Sequence, residues 1–283
     1  MKTSCTNKEV LQWAIAELGA DKRMEAELLL CHVLDTSRAL LLAHDTDIIT
    51  DTNAEAYRAL VARRKADEPF QYLIGTASFM GLDFVVTPDV LIPRFDTERL
   101  VETCLKLLQD TEQPIVLDIC TGSGAIAVSI SHYRKDAVVY AGDISESALA
   151  IAVQNNQRLD SRVCFRQGDL TEPFSDLHGT VHLIASNPPY ITTQEMQELP
   201  HDVQREPHLA LWGGDDGLDF YRKLTTAAPQ LLCSGGWLVF EIGWKQGEAV
   251  SQLMQQQGFV DVAVIQDWQG NDRVVVGRLD KTL

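Results

Sequence analysis

Residues 114–127 read Pro-Ile-Val-Leu-Asp-Ile-Cys-Thr-Gly-Ser-Gly-Ala-Ile-Ala, and this stretch decides the fold. Ile115–Ile119 is a short apolar run, the length of a buried strand. Gly122 and Gly124 follow, and Ala125–His132 then reads as a helix. Strand, glycine turn and helix make the start of a βα unit. Gly122-x-Gly124-x-x-Ala127 fits the pattern in which glycines let the backbone approach a bound nucleotide closely. By itself the pattern allows any nucleotide or nucleoside ligand, or a tight turn with none.

The chain on either side extends the unit. Val138–Ala141, Val163–Arg166, Val181–Ala185 and Trp237–Ile242 read as strands. Ser145–Gln157, Leu218–Leu232 and Gln246–Gln256 read as helices, with Ser145 as an N-cap. Val260–Ile265 and Arg273–Gly277 have no helix between them, so they form an antiparallel pair at one edge. The result is an α/β fold, a doubly wound and mostly parallel sheet of seven strands. Such sheets hold ligands at the carboxyl ends of their strands. A long polar insert, 191–216, follows the fourth strand.

Before this region the character differs. Residues 7 to about 66 read as helices, with apolar positions at helical spacing and Gly19 ending the first. No proline precedes Pro69. A small all-helical domain over 1–75 is expected. Phe79–Ile92 reads as a β-hairpin within a linker, 76–95, and Thr97–Leu108 as a helix that opens a catalytic domain, 96–283.

Composition narrows the function. The 283 residues are 45% hydrophobic and 23% charged, which excludes a disordered or low-complexity chain. Twenty-four basic residues against 40 acidic ones leave a net charge of −16. That opposes direct nucleic-acid binding, which rests on neutralising phosphates. The one basic cluster, Arg63-Arg64-Lys65, reads as a solvated helix end. None of the six cysteines shows C-x-x-C or zinc spacing. Reduced thiols, no metal and a cytoplasmic location are expected. Met1–Val10 is polar, with no targeting segment, and no run approaches the ~18 apolar residues of a membrane span.

Three further positions carry chemistry. Asp143 ends the second strand, where a carboxylate accepts from ribose hydroxyls. NAD enzymes and S-adenosylmethionine enzymes share this feature. Asp169 and Leu170 follow the third strand and suit an adenine amine and ring, although Asp169 also fits a helix N-cap. After the fourth strand stands Asn187-Pro188-Pro189-Tyr190. Its two prolines remove two N–H donors and leave acceptors. With the Asn187 side-chain oxygen and the flat face of Tyr190, this suits a planar N–H₂ group. An amide or an exocyclic amine has a delocalised lone pair. Acceptors on both its N–H bonds orient it for in-line attack on a sulfonium methyl and stabilise the charge that develops.

Together these residues resemble the class I S-adenosylmethionine methyltransferases acting on planar nitrogen. More closely, the chain resembles the peptide chain release factor N5-glutamine methyltransferases. Pro69–Gly75, Phe79–Leu82, Val90–Arg94, Asp118–Ala127, Ser186–Ile191, Gly213–Asp219 and Glu241–Gly243 all fit. The resemblance implies a helical N-terminal domain, a hairpin linker and a seven-stranded catalytic domain. It implies methylation of the glutamine in the Gly-Gly-Gln loop of class 1 release factors, with S-adenosylhomocysteine as product and a monomeric enzyme. By this resemblance Asp118, Cys120, Thr121, Gly122, Ser123, Gly124, Asp143, Asp169, Leu170 and Asn187 serve the cofactor. Asn187, Pro188, Pro189 and Tyr190 hold the glutamine amide, with Arg94 either lining the pocket or pairing with an acid. The alternatives are glutamine methylation of a ribosomal protein and N6-adenine methylation of nucleic acid. The chain departs from the family in two places. Cys120 stands where glycine is usual, which requires ordinary main-chain angles there. Phe95-Asp96 replaces Pro-Glu in the stretch after Arg94.

Overall fold

The computed structural model describes residues 5–280. These fall into two units. One runs to Gly75 and takes in Pro200–Arg205; the other holds Thr76–Leu199 and the residues from Glu206 onward.

The first unit is helical, with α1 (Asn7–Leu18), α2 (Arg23–Leu34), α3 (Arg38–Ala43), α4 (Asp51–Lys65) and α5 (Phe70–Ile74). Hydroxyl side chains set the helix starts. Thr6 and Glu9 form a reciprocal capping box, and Ser37 and Thr50 cap α3 and α4. Val10, Leu29, Leu30, Tyr57 and Val61 fill the core. Buried polar groups enter it with partners. The Tyr57 hydroxyl donates to the Ala26 carbonyl at 2.9 Å. The buried Glu27 carboxylate accepts from Arg23 at 2.9 Å and Arg38 at 2.6 Å. The Arg63-Arg64-Lys65 cluster ends α4 with Arg63 and Lys65 exposed, as expected, but Arg64 departs from the reading. Arg63 pairs with Glu68, Lys65 with Glu17, and Arg64 is buried against Glu25.

The second unit begins with β1 (Thr76–Phe79) and β2 (Leu82–Val85), an antiparallel hairpin that turns at Met80 and Gly81, both at positive φ. The hairpin lies earlier than the expected Phe79–Ile92. Gly81 makes its turn, and Leu82–Val85 returns along Thr76–Phe79. Nor is the hairpin a free linker. Phe79 and Phe84 meet edge to face at 5.9 Å and lie in the core of the second unit.

The remaining elements are α6 (Phe95–Leu107), β3 (Ile115–Ile119), α7 (Ala125–Tyr133), β4 (Val138–Asp143), α8 (Glu146–Arg158), β5 (Val163–Gln167), β6 (Val181–Ser186), α9 (His208–Leu211), α10 (Asp219–Leu231), β7 (Leu232–Glu241), α11 (Gly247–Gln256), β8 (Phe259–Gln266) and β9 (Asp272–Leu279). Seven strands form one sheet in the order β5-β4-β3-β6-β7-β9-β8. Neighbours from β5 to β7 are parallel, while β9 runs antiparallel to both β7 and β8. The order reverses at β3, the switch point where such sheets open a crevice. Strand alternation builds two cores. Val116, Ala185 and Val239 face α6 and α7, and Leu117, Ile184 and Phe240 face α10 and α11. No described helix is long and apolar enough to cross a membrane.

Tyr57→Phe removes the hydroxyl's bond to the Ala26 carbonyl, which keeps its place in the α2 ladder. The expected loss is about 0.5–1.5 kcal/mol of stability, read by denaturant unfolding of the variant against the parent.

Candidate active site

The turn after β3 is braced from below. Asp118 is fully buried, and its Oδ2 accepts from the Thr121 hydroxyl at 2.6 Å and the Ala127 N–H at 3.2 Å. The loop is held from the side by Asp143 at the end of β4. Asp143 Oδ2 accepts from Gly122 N–H at 2.8 Å, and its Oδ1 accepts from Ser145 N–H at 3.0 Å. Burial raises the pKa of both carboxyls, that of Asp118 to about 7. For Asp118 the Thr121 and Ala127 donors offset part of the rise, and for Asp143 the Ser145 and Gly122 donors do.

Above these residues lies a cavity of about 300 Å³ at the carboxyl ends of β3 to β6. Cys120, Gly122, Asp143, Asp169, Leu170, Asn187 and Pro189 line it. Val90 and Leu91 from the stretch before α6, Leu209 of α9 and Phe220 of α10 complete its apolar walls. A Cβ on Gly122 would have no atom within 4 Å, so the backbone there faces open space. Cys120 and Leu170 both take left-handed angles, φ 63° and 48°. The condition under which a Cβ at position 120 is free of cost, ordinary main-chain angles, is not met, and an L residue there carries a cost of roughly 1–2 kcal/mol. Two strained non-glycine residues on one cavity wall mark a site where backbone shape is set by use. Asp169 is exposed at this wall, and its side chain caps no helix.

The Asn187-Pro188-Pro189-Tyr190 turn leaves β6 beside the cavity. It is clamped from three sides. Gln246 Nε2 donates to the Tyr190 carbonyl at 3.1 Å and to the Gly217 carbonyl at 3.2 Å, and Gln246 Oε1 accepts from Gly243 N–H at 2.9 Å. The insert returns along the turn. Ile191 N–H donates to Leu211 O and Gly213 N–H to Ile191 O, each at 2.9 Å. A Cβ on Gly213 would stand 2.6 Å from Tyr190 Cα, and one on Gly217 2.3 Å from the Tyr190 carbonyl. Only glycine allows that approach. On the third side, Asn187 Nδ2 donates to Thr97 Oγ1 of α6 at 3.4 Å.

Not every residue expected at the site lines this cavity. Asp118, Thr121 and Ser123 are buried beneath the loop and act through its shape. Gly124 packs on Ala152 of α8, where a Cβ would meet Ala152 Cβ at 3.1 Å. Pro188 is buried, and Tyr190 lines a second cavity of about 520 Å³ on the other side of the turn, together with Trp244 and Lys245. Arg94 lies outside the cavity wall. It pairs with Glu206, whose Oε2 also accepts from Ile92 N–H at 2.9 Å. Of the two roles expected for Arg94, the acid pair is the one present. Thr97 and Gln246 were missed. Neither a threonine in a helix's first turn nor a glutamine before a helix gives a sequence signal of this kind, because the partners, the Asn187 side chain and the Tyr190 and Gly217 carbonyls, lie far along the chain.

A glycine-turned crevice with an acid on the neighbouring strand is common to several nucleotide enzymes; the acceptor-lined turn after β6 is what sets the methyltransferases of planar nitrogen apart. A family model described as the methyltransferase small domain matches residues 97–205, from α6 through this turn. The chain is a methyltransferase. A second model, the PrmC N-terminal domain, matches residues 9–75. The chain is 44% identical over 279 residues to a release factor glutamine methyltransferase of Geobacter sulfurreducens, covering 97% of each. It is 46% identical over 259 residues to one of Bordetella pertussis, covering 91% of this chain and 95% of that one. It belongs to the release factor glutamine methyltransferases. A solved methyltransferase from Pyrococcus furiosus, 20% identical, shares the fold with a TM-score of 0.52 over 79% of this chain and 98% of that one.

Two predictions follow from the braces. Asp118 favours its protonated form in the fold, so its contribution to stability is complete below pH 3.8 and is lost as pH rises to about 7. Asp118→Asn keeps the acceptor for Thr121 and Ala127, and should flatten the fall in stability across that window in urea titrations. Asp143→Ala should weaken cofactor binding by about 1–3 kcal/mol in calorimetry, the loss expected for a charged acceptor.

Proposed function

We propose that the chain transfers a methyl group from S-adenosylmethionine to the side-chain amide nitrogen of glutamine in the Gly-Gly-Gln motif of class 1 peptide chain release factors. The observation that carries this reading is the Asn187–Tyr190 turn, held rigidly beside a cavity whose other walls suit an adenosine. Asp143 keeps lone pairs free after taking two backbone N–H groups, as a ribose diol needs. Asp169 offers a carboxylate to the adenine amine, Leu170 an apolar face, and Gly122 the open space for close approach.

Bound S-adenosylmethionine supplies a methyl group on sulfonium, a good electrophile with a neutral leaving group. The protein must orient a poor nucleophile. Asn187 Oδ1 and the Pro188 carbonyl would accept from the two N–H bonds of the substrate amide, and Tyr190 would meet its plane from the second-cavity side of the turn. This fixes the nitrogen in line with the methyl carbon. The same two acceptors stabilise the positive charge that grows on nitrogen as the N–C bond forms and the S–C bond breaks. One of the two protons then leaves to water. The net charge of −16 favours a protein substrate over a polyphosphate one.

Mass spectrometry of a class 1 release factor, incubated with the chain and S-adenosylmethionine, tests this. One added methyl on the Gly-Gly-Gln glutamine is the expected result, and none, with cofactor bound, would overturn it. Asn187→Ala should lower turnover by about 10²-fold or more, well beyond any loss of cofactor affinity from its place on the cavity wall.

A further inference from the structure

The reaction needs the Asn187 side chain in one of its two flips. Oδ1 must face the substrate amide, because Nδ2 would set donor against donor. What holds it lies behind the turn, away from the cofactor. β6 and β7 run parallel with Ser186 opposite Phe240, so Asn187 and Glu241 are the next residues of neighbouring strands. Ala185 and Val239, two residues earlier on each, face the α6 core. Asn187 and Glu241 therefore face α6 as well, where Thr97 stands in its first turn. Thr97 is 4% exposed and Glu241 2% exposed. Thr97 Oγ1 receives Asn187 Nδ2, and the Thr97 hydroxyl also stabilises the Glu241 carboxylate.

We propose that Thr97 and Glu241 are positioning residues that fix the flip of Asn187 and so present its Oδ1 to the substrate amide. This rests on the glutamine reading above. An ionised carboxylate only accepts hydrogen bonds. Thr97 has one proton, and a charge-assisted bond to Glu241 claims it. Thr97 Oγ1 is then left with lone pairs alone, so it can only accept from Asn187. Nδ2 turns back to Thr97 and Oδ1 turns to the substrate.

Protonated Glu241 reverses this. It can donate to Thr97, whose own proton is then free for Asn187 Oδ1, and the flipped amide meets the substrate with its N–H₂. The groups around Glu241 set where that change falls. Arg273 of β9 and Arg94 favour the ionised form; Asp96 of α6 opposes it; and Tyr190, after β6, also faces the carboxylate. Arg273 is itself shared with Asp96 and Asp267, each at 3.2 Å. Tyr221 of α10 meets the Glu241 backbone carbonyl at 2.8 Å. Burial is the largest influence and lifts the Glu241 pKa to about 7. Among the described residues Glu241 Oε2 has no hydrogen-bond partner, so the ionised form is left with an unsatisfied buried oxygen, which also favours protonation. Methyl transfer should therefore switch on as pH rises through about 7.

The test is single-turnover methylation of a release factor at saturating S-adenosylmethionine from about pH 6 to 8.5, beside calorimetric cofactor binding. Thr97→Val should lower the rate by about 10- to 100-fold with cofactor affinity unchanged, and Thr97→Ser should restore it to within about threefold. Glu241→Gln cannot titrate, so its rate should lose the rise near pH 7 that the parent shows. A parent-like rate in Thr97→Val, no rescue by serine, or a parent-like pH profile in Glu241→Gln would each overturn the proposal. Should Thr97→Val fail to bind cofactor, the nearly isosteric Thr97→Ser and Glu241→Gln decide alone. A parent enzyme that puts no methyl on glutamine would overturn the function itself, a result distinct from any of these.

Discussion

The glycine-turn half of the site hangs on one buried carboxyl. Asp118 sits at full burial under the turn after β3 and ties a hydroxyl and a backbone N–H of that turn to the strand. The turn cannot relax without breaking these bonds inside a low-dielectric interior, where an unmade hydrogen bond is costly. A rigid turn in its place fixes Gly122 N–H against Asp143, and so aligns the ends of β3 and β4. It also explains how a left-handed Cys120 persists: the bonds on either side over-determine it. Asp118 itself never reaches the cavity. Its contribution is shape, and a fold that depends on it gives up some stability to desolvation.

The second half of the site is built on a different principle. The Asn187–Tyr190 turn has few backbone donors of its own, so the surrounding chain must hold it through its carbonyls and by contact. Gln246 does the first, reaching from the loop before α11 to the Tyr190 and Gly217 carbonyls. Gly213 and Gly217 do the second, lying so close to Tyr190 that no side chain fits between. The polar insert is thus more than a surface loop. It supplies the packing layer that makes the acceptor turn stiff, and it carries Glu206, which anchors the stretch around Ile92 and Arg94.

Much of this architecture is readable in the chain itself. Short apolar runs locate all seven strands of the main sheet, and the lack of a helix between the last two foretells their antiparallel pairing. Caps at Ser37 and Ser145 and the stop at Gly19 are local chemistry, visible in a few residues. The misreadings share one cause, which is tertiary context. The hairpin was displaced because Gly81 reads equally as a break and as a turn. Arg64 looked solvated because its partner Glu25 lies far back in the sequence, in α2. Cys120 looked tolerable because φ is invisible in a sequence. At the site, the residues that line the cavity were legible as types, since carboxylates, glycines and an acceptor turn are chemically distinctive. Those that position them were not. Thr97 and Gln246 are ordinary surface residues by type, and only the folded chain gives them partners.

The placement of β9 has a consequence for how the protein is made. β7 ends in Glu241 and is an interior strand only because β9 pairs along its far side. β9 follows both β7 and β8 in the chain, so a nascent polypeptide carries β3 to β7 for some time with one long edge bare. An unpaired, apolar edge is a template for pairing with other chains. Domains fold as units during synthesis. Here the unit closes only once residue 279 has been added. The sheet that carries the chemistry is therefore exposed to misassembly on the ribosome until β9 has emerged and sealed its edge.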